Sequence, residues 1–334
     1  MSGNNYNFSS PFYIYKALEE QYGTKYEYVW AFSDKQKATG YFGKRVKIDT
    51  FKYFTYVLTS KIWITDVNIE RGLKLKRKKQ YYVNTWHGGI TKGYPKTRKD
   101  YKLTNVDIFC SDGQKYEDFF TKYYKVQKSS YLRCGRPRED TIFECESNKD
   151  LLRSKFGFSK QDYIILYMPT WRENDCNAYL DLSSIVDCLP NVVAVFHSHN
   201  LGHLSQKGSA NIYDFSNIDD LNSLYAISDL LISDYSSCIY DFLLLKKPVL
   251  LFAKDYDDYS STRGLAVDFK NEFPFSISKT ENELIDKIKV VKNGFNLFEY
   301  QKFLQNVVEI DRKQSATKVI IEKMKRDGVV PYEN

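Results

Sequence analysis

Apolar residues in this chain follow two rhythms that alternate from end to end. Short continuous runs such as Ile62-Trp63-Ile64, Val192-Val193-Ala194-Val195-Phe196 and Leu230-Leu231-Ile232 have the length and β-branched content of buried strands. Between the runs, apolar positions recur at three- and four-residue steps, the spacing of one helix face. The pattern predicts strands at residues 26–32, 62–67, 82–86, 106–111, 130–134, 162–168, 192–196, 230–233 and 248–252. It predicts helices over 12–22, 51–61, 114–124, 149–156, 182–188, 221–227 and 237–245. The tail reads as helical from Glu281, with apolar steps at Leu284, Ile285, Ile288 and Val291. A second helical stretch fits from Phe303 onward, through Leu304, Val307, Val308, Val319 and Ile320. Repeated strand–helix units imply parallel sheets with helices on both faces.

A chain of 334 residues is too long for one ordinary core. The charged, polar stretch at 148–160 is the natural break. The expected division is one Rossmann-like domain over 1–150 and a second Rossmann-like domain over 151–315. A C-terminal helix over 316–334 is expected to cross back onto the first domain. This α/β fold class, two doubly wound domains facing a cleft, is the glycosyltransferase-B architecture. Fold analogy alone says little about chemistry.

Composition narrows the classes. Hydrophobic residues at 43% and charged residues at 27% fit a soluble globular protein. No stretch reaches the ~18 apolar residues that span a bilayer. The polar start, Met1-Ser2-Gly3-Asn4-Asn5-Tyr6, lacks a signal-peptide core, so a cytoplasmic location is expected. The six cysteines show no CxxC or CxH spacing and read as free thiols. A net charge of +7 with 28 tyrosines and 22 phenylalanines fits nucleic acid, an anionic membrane surface or a phosphate-rich substrate. The tyrosines are dispersed and mark no stacking platform. The densest basic run, Lys74-Leu75-Lys76-Arg77-Lys78-Lys79, is either a solvated loop or a polyanion-facing patch.

The four histidines fall in two places. Trp86-His87-Gly88-Gly89 follows one predicted strand, and His197-Ser198-His199, with His203, follows another. A residue just past the carboxyl end of a strand sits where α/β proteins bind ligands. One such histidine is as often structural as functional. Two places, one in each half of the chain, point to an active site at a domain cleft.

Anion sites are readable as well. The run Leu230 to Ser233 ends in Asp234-Tyr235-Ser236-Ser237 and then an apolar-periodic helix. Free N–H groups and the positive end of the dipole favour an anion there, and Ser236 and Ser237 add donors. The alternative is an ordinary serine N-cap. Thr170 and Arg172, after Pro169, sit on the loop over another strand end. Arg172 suits a phosphate or a surface carboxylate. Arg136 and Arg138 flank Pro137 on a stiff turn suited to an anionic substrate or an interdomain contact. Arg263-Gly264 suits a phosphate, an acceptor or a solvated loop. Asp255-Tyr256-Asp257 has a D-x-D spacing, but no metal site is expected.

Together these residues resemble the CDP-glycerol glycerophosphotransferase family, the teichoic acid primases and polymerases. Trp86-His87-Gly88 resembles that family's W-H-G-T. Gly135 to Asp140 resembles G-x-P-R-x-D, and Tyr167 to Arg172 resembles Y-A-P-T-W-R. Leu224 to Phe242 resembles L-Y-x-x-S-D-x-L-I-T-D-Y-S-S-x-x-x-D-F, which includes Asp241. Arg263-Gly264 resembles a late R-G. Gly89-Ile90 stands where the family has Thr-Pro. His197 and His199 stand at the arginine and histidine of R-x-H-P, and Ser9-Ser10-Pro11 stands for D-N-P.

The resemblance implies transfer of a polyol phosphate, from CDP-glycerol or CDP-ribitol, to a phosphate-rich polymer or lipid-linked acceptor. It implies no cofactor, no nucleic acid, and a peripheral place at the anionic inner face of the membrane. It implies His87 as the base toward the acceptor and His199 as the group that stabilises or protonates the leaving phosphate. It assigns the donor to Thr170, Arg172, His197, Ser236, Ser237, Asp241 and Arg263, and acceptor or interdomain contacts to Gly88, Arg136 and Arg138. The competing readings are a nucleotide-sugar transferase of the same fold, a polyanion-binding module, and a non-catalytic member that only binds nucleotide.

Overall fold

A computed structural model describes residues 8–33, 43–70, 73–94, 102–170, 172, 178–197, 210–310 and 314–332. Two compact units divide the chain. The first is Met1–Gly88, Thr97–Asp140 and Glu309–Asn334; the second is Gly89–Lys96 and Thr141–Val308.

The first unit opens with α1 (Ser10–Tyr22), with Pro11 in its first turn and Gly23 closing it at φ +50°. Then come β1 (Val29–Phe32), β2 (Lys44–Lys47), α2 (Phe51–Thr59), β3 (Ile62–Thr65), β4 (Tyr81–Asn84), β5 (Ile108–Ser111), α3 (Gln114–Tyr124) and β6 (Tyr131–Arg133). Strands β3-β4-β5-β6 form one parallel sheet in chain order, and β1-β2 form a separate parallel pair.

The second unit holds α4 (Ile142–Ser147), α5 (Lys149–Lys155), β7 (Tyr163–Met168), α6 (Ser183–Cys188), β8 (Val192–Phe196), β9 (Ile212–Asp214) and α7 (Leu221–Ile227). It continues with β10 (Leu230–Ser233), α8 (Cys238–Leu243), β11 (Val249–Leu251), α9 (Tyr256–Thr262), α10 (Phe269–Glu272), α11 (Glu281–Asn293) and α12 (Leu297–Gln305). Its sheet runs β11-β10-β7-β8-β9, all parallel. The order reverses direction between β7 and β10, which makes the gap beyond their carboxyl ends the natural ligand crevice. Thr280 caps α11 and presents Leu284, Ile285, Ile288 and Val291 to the core beneath β11 and β8. Each such side chain contributes roughly 1.5–3 kcal/mol of burial.

The chain ends in α13 (Ala316–Arg326), which completes the first unit. Ile320, Ile321 and Met324 share a core with Ile14, Leu18, Val83 and Ile108. Asp140 fixes the start of that helix: it accepts from Ser315 Oγ and Ala316 N, both at 2.7 Å, and from Thr317 N at 3.0 Å. A carboxylate at a helix N-terminus is favoured by the dipole and the open N–H groups.

The unit boundary falls at Asp140/Thr141 instead of 150/151. The reason is that α4 and α5 pack on α7. Arg153 donates to the Ile227 carbonyl at 2.7 Å and to Asp229 at 2.6 Å, and Lys149 reaches Asp229 at 2.8 Å. The tail rejoins the first unit at Glu309 instead of 316, and its helical stretch is broken into α12 and α13. Two short strands escaped the periodicity: Lys44-Arg45-Val46-Lys47 buries only Val46, and β9 is a half-exposed edge.

Candidate functional site

In the second unit the loops after β7, β10 and β11 converge on one guanidinium. Arg172 donates through Nε to Asp255 at 2.7 Å and through Nη2 to the same carboxylate at 3.1 Å. Its Nη1 lies 2.9 Å from Asp234 and also bonds the Thr170 carbonyl. Tyr235 and Tyr259 stack 4.0 Å apart, and the guanidinium carbon sits 5.1 and 5.2 Å from their ring centres. Tyr235 also donates to Asp255 at 3.0 Å. Asp234 accepts from the Thr170 N–H at 2.9 Å, tying the end of β7 to the end of β10. Burial alone would raise the Asp255 carboxyl, but the bonds and charge of Arg172 outweigh it and hold its pKa below the ordinary value. Burial and the neighbouring Asp255 push the Tyr235 phenol upward.

This changes the reading of Arg172. It is 9% exposed at the side chain and bound to two carboxylates, so its fork is engaged in bracing the loops after β7, β10 and β11. Asp255 and Asp257 of the D-x-D run are likewise used in ion pairs, with Arg172 and Lys279. The groups left over are different ones. Thr170 is buried, and its Oγ has no hydrogen-bond partner among the described residues. Ser236 and Ser237 are half-buried; Ser237 makes no side-chain cap, and Ser236 accepts from the Cys238 N–H at 3.4 Å. Arg263 is exposed and has no ion pair among the described residues.

Sequence reasoning missed Lys92. The segment Gly89–Lys96 belongs to this unit, although the residues on either side of it belong to the other. Lys92 pairs with Leu265 in an antiparallel bridge and makes no ion pair among the described residues. Desolvation lowers its pKa, with Arg172 and Arg263 adding to that and Asp234 opposing it. The residue as a whole keeps exposed surface. In a chain with 49 lysines and arginines, nothing in the sequence distinguishes it.

Two donor assignments change character. His197 is 2% exposed, and its Nε2 lies 3.0 Å from the Ile218 carbonyl, so it reads as a core histidine. Asp241 is 3% exposed within α8, again a core position. Ser198, His199 and His203 lie outside the described residues, as does Trp171.

In the first unit, β4 delivers His87. Trp86 takes φ +51°, with its N–H on Asn84 Oδ1 at 2.9 Å. Phe120 and Tyr124 hold the indole edge-on at 5.1 and 5.2 Å, and the indole stacks on the His87 ring at 4.4 Å. His87 is exposed, and its Nδ1 lies 2.9 Å from the Asp66 carbonyl. A carbonyl only accepts, so Nδ1 carries the proton, and the lone pair of the neutral ring lies on Nε2. Arg138 donates to the His87 carbonyl at 2.8 Å, and Gly88 is buried beside it. Arg136 does something else. It is 1% exposed and pairs with Asp112 at 2.7 Å and Glu139 at 2.9 Å, an internal cluster out of reach of any acceptor.

A model of the CDP-glycerol:poly(glycerophosphate) glycerophosphotransferases matches residues 2–322. The chain belongs to that family. The teichoic acid poly(glycerol phosphate) polymerase of Bacillus spizizenii is 29% identical over 94% of this chain and 88% of its own length. The teichoic acid poly(ribitol-phosphate) polymerase of the same organism is 28% identical over 66% of this chain and 39% of its own length. The solved structure of the wall teichoic acid polymerase TagF superposes with a TM-score of 0.78 at 23% identity, covering 98% of this chain and 87% of that one. That likeness shows the fold expected from the strand–helix pattern.

Proposed function

We propose that this glycerophosphotransferase moves glycerol phosphate from CDP-glycerol to a hydroxyl of a teichoic acid chain. The acceptor oxygen bonds to the β-phosphorus, the bond from that phosphorus to the bridging oxygen breaks, and CMP leaves. The acceptor proton passes to Nε2 of His87. Family membership over nearly the whole chain supports the reaction class. The observation that carries the mechanism is the His87 Nδ1–Asp66 carbonyl contact, because it makes Nε2 the basic nitrogen. Phosphoryl transfer rests mostly on positioning and charge stabilisation. In the donor unit the groups suited to the diphosphate are Thr170, Ser236, Ser237 and Arg263, with Arg172 holding their loops in place. His199 is assigned to the leaving phosphate on the family's motif.

A lipid-linked or growing acceptor at the inner membrane face fits a net charge of +7. Among the described residues, no helix is long and apolar enough to cross a membrane. The ribitol-phosphate relative gives CDP-ribitol as the second reading. The test is CMP release from CDP-glycerol and CDP-ribitol in parallel, with a short polyol-phosphate acceptor, with and without EDTA. Release from CDP-glycerol, persisting in EDTA, is expected. Release from CDP-ribitol alone reassigns the donor, and release from neither removes the proposal.

A further inference from the structure

The segment after the histidine motif is bolted to the donor unit at four points. Tyr240 donates to the Ile90 carbonyl at 2.8 Å, and Thr91 Oγ donates to the Tyr235 carbonyl at 2.7 Å. The Ala266 N–H reaches the Thr91 carbonyl, and the Gly93 N–H the Gly264 carbonyl, both at 2.9 Å. Gly89 lies directly against the Tyr240 ring: a Cβ there would stand 2.3 Å from Cδ2 and 2.7 Å from Cε2. Tyr240 has nowhere to retreat, being 2% exposed and stacked on Phe303. The glycine is therefore a steric requirement of this tyrosine. What the docked segment delivers is Lys92, the central residue of the two-stranded bridge to residues 264–266.

We propose that Tyr240 is a positioning residue: paired with Gly89, it holds the Gly89–Gly93 stretch in register so that Lys92 joins Arg263 as a second cation for the diphosphate of the donor. The inference rests on the donor reading above and adds a residue to it. A lysine contributes a point charge with three donors, suited to an anion of variable geometry.

The test is steady-state CMP release by Lys92→Met, Tyr240→Phe, Gly89→Ala and the double variant Gly89→Ala/Tyr240→Ala, with melting curves for each. Lys92→Met is expected to raise the donor KM about tenfold or more, the size of a charge-assisted hydrogen bond, with an unchanged melting temperature. Tyr240→Phe is expected to raise the donor KM about three- to tenfold while kcat stays within about twofold, the signature of lost positioning without lost chemistry. Gly89→Ala is expected to be worse, and the double variant to recover about tenfold over it by vacating the ring's volume. A donor KM within about twofold of wild type for Lys92→Met overturns the role of the lysine. A double variant no better than Gly89→Ala overturns the matched pair. Wild-type protein that releases CMP only from another CDP-polyol shifts the donor assignment, and the same KM comparisons with that donor then decide the lysine.

Discussion

Arg172 and Asp255 are joined by two hydrogen bonds, at 2.7 and 3.1 Å, that lock the loop after β7 to the loop after β11. Breaking a fully buried pair from one side costs roughly 3–5 kcal/mol; here the pair is part-buried and Asp234 stays on Arg172, which lowers the cost. Asp255→Asn is therefore expected to lower stability by about 2–3 kcal/mol in chemical denaturation. The pH dependence has a definite sign. The Asp255 pKa is depressed in the folded state, so its contribution is complete above the unfolded value of about 4 and is lost as pH falls through the lower folded value. Denaturation midpoints of wild type and Asp255→Asn should converge as the solution is acidified below about pH 4. A gap that stays constant with pH argues against the pair as its source.

His87→Ala should reduce kcat by about 10²–10⁴-fold with little change in donor KM, as expected for loss of a general base. The Nδ1 contact is to a backbone carbonyl, so no single substitution removes the orienting partner. A loss of less than about tenfold at saturating donor removes His87 from the mechanism.

Arg136→Met separates an internal arginine from an acceptor contact. With Asp112 and Glu139 left in the interior without this guanidinium, stability should fall by about 3–5 kcal/mol. In the fraction that remains folded, the acceptor KM should match wild type. A raised acceptor KM with an unchanged unfolding curve would return Arg136 to the substrate side.

Lys247 gives a slope of the same sign in the alkaline range, from a buried ammonium instead of a paired carboxylate. Burial pushes its ammonium down to about 8, against the pull of Glu146 at 2.6 Å. Its unfolded value is about 10.4, so between the two values the unfolded chain holds a proton that the folded chain has lost. Stability then rises with pH across that window, and the penalty is fully present below it. Wild type should gain on Lys247→Met between about pH 8 and 10 in urea titrations. Parallel curves would show that this ammonium does not titrate in the window.

The parts of this protein that were legible in its sequence are those where burial is periodic. Strands β7, β8 and β10 are buried at nearly every position and stand out as apolar runs, and α3 and α7 match the predicted bounds residue for residue. The strand ends, and with them His87, Thr170 and Ser236, followed from those runs. Partnership was not legible. Arg172, Arg136 and Arg263 look alike in sequence, yet two are internal and one is exposed, because long-range carboxylates decide: Asp255 lies 83 residues from Arg172, and Asp112 lies 24 from Arg136. Gly89 read only as a departure from the family motif. It becomes intelligible only beside a ring 151 positions further on.

The first unit is finished by the last part of the chain. Its core draws Ile14, Leu18 and Val83 together with Ile320, Met324 and Val330, and the Tyr22 hydroxyl bonds the Pro331 carbonyl at 2.7 Å. During synthesis on a ribosome, the opening residues must therefore wait, with that apolar face uncovered, while the whole second unit is made. The second unit has nearly all its residues in one stretch and lacks only Gly89–Lys96, which has already emerged, so it is the one able to fold first. The half that carries His87 is the half exposed longest to aggregation and to chaperones, and a ribosome stalled before α13 leaves the second unit able to fold while the first stays unfinished.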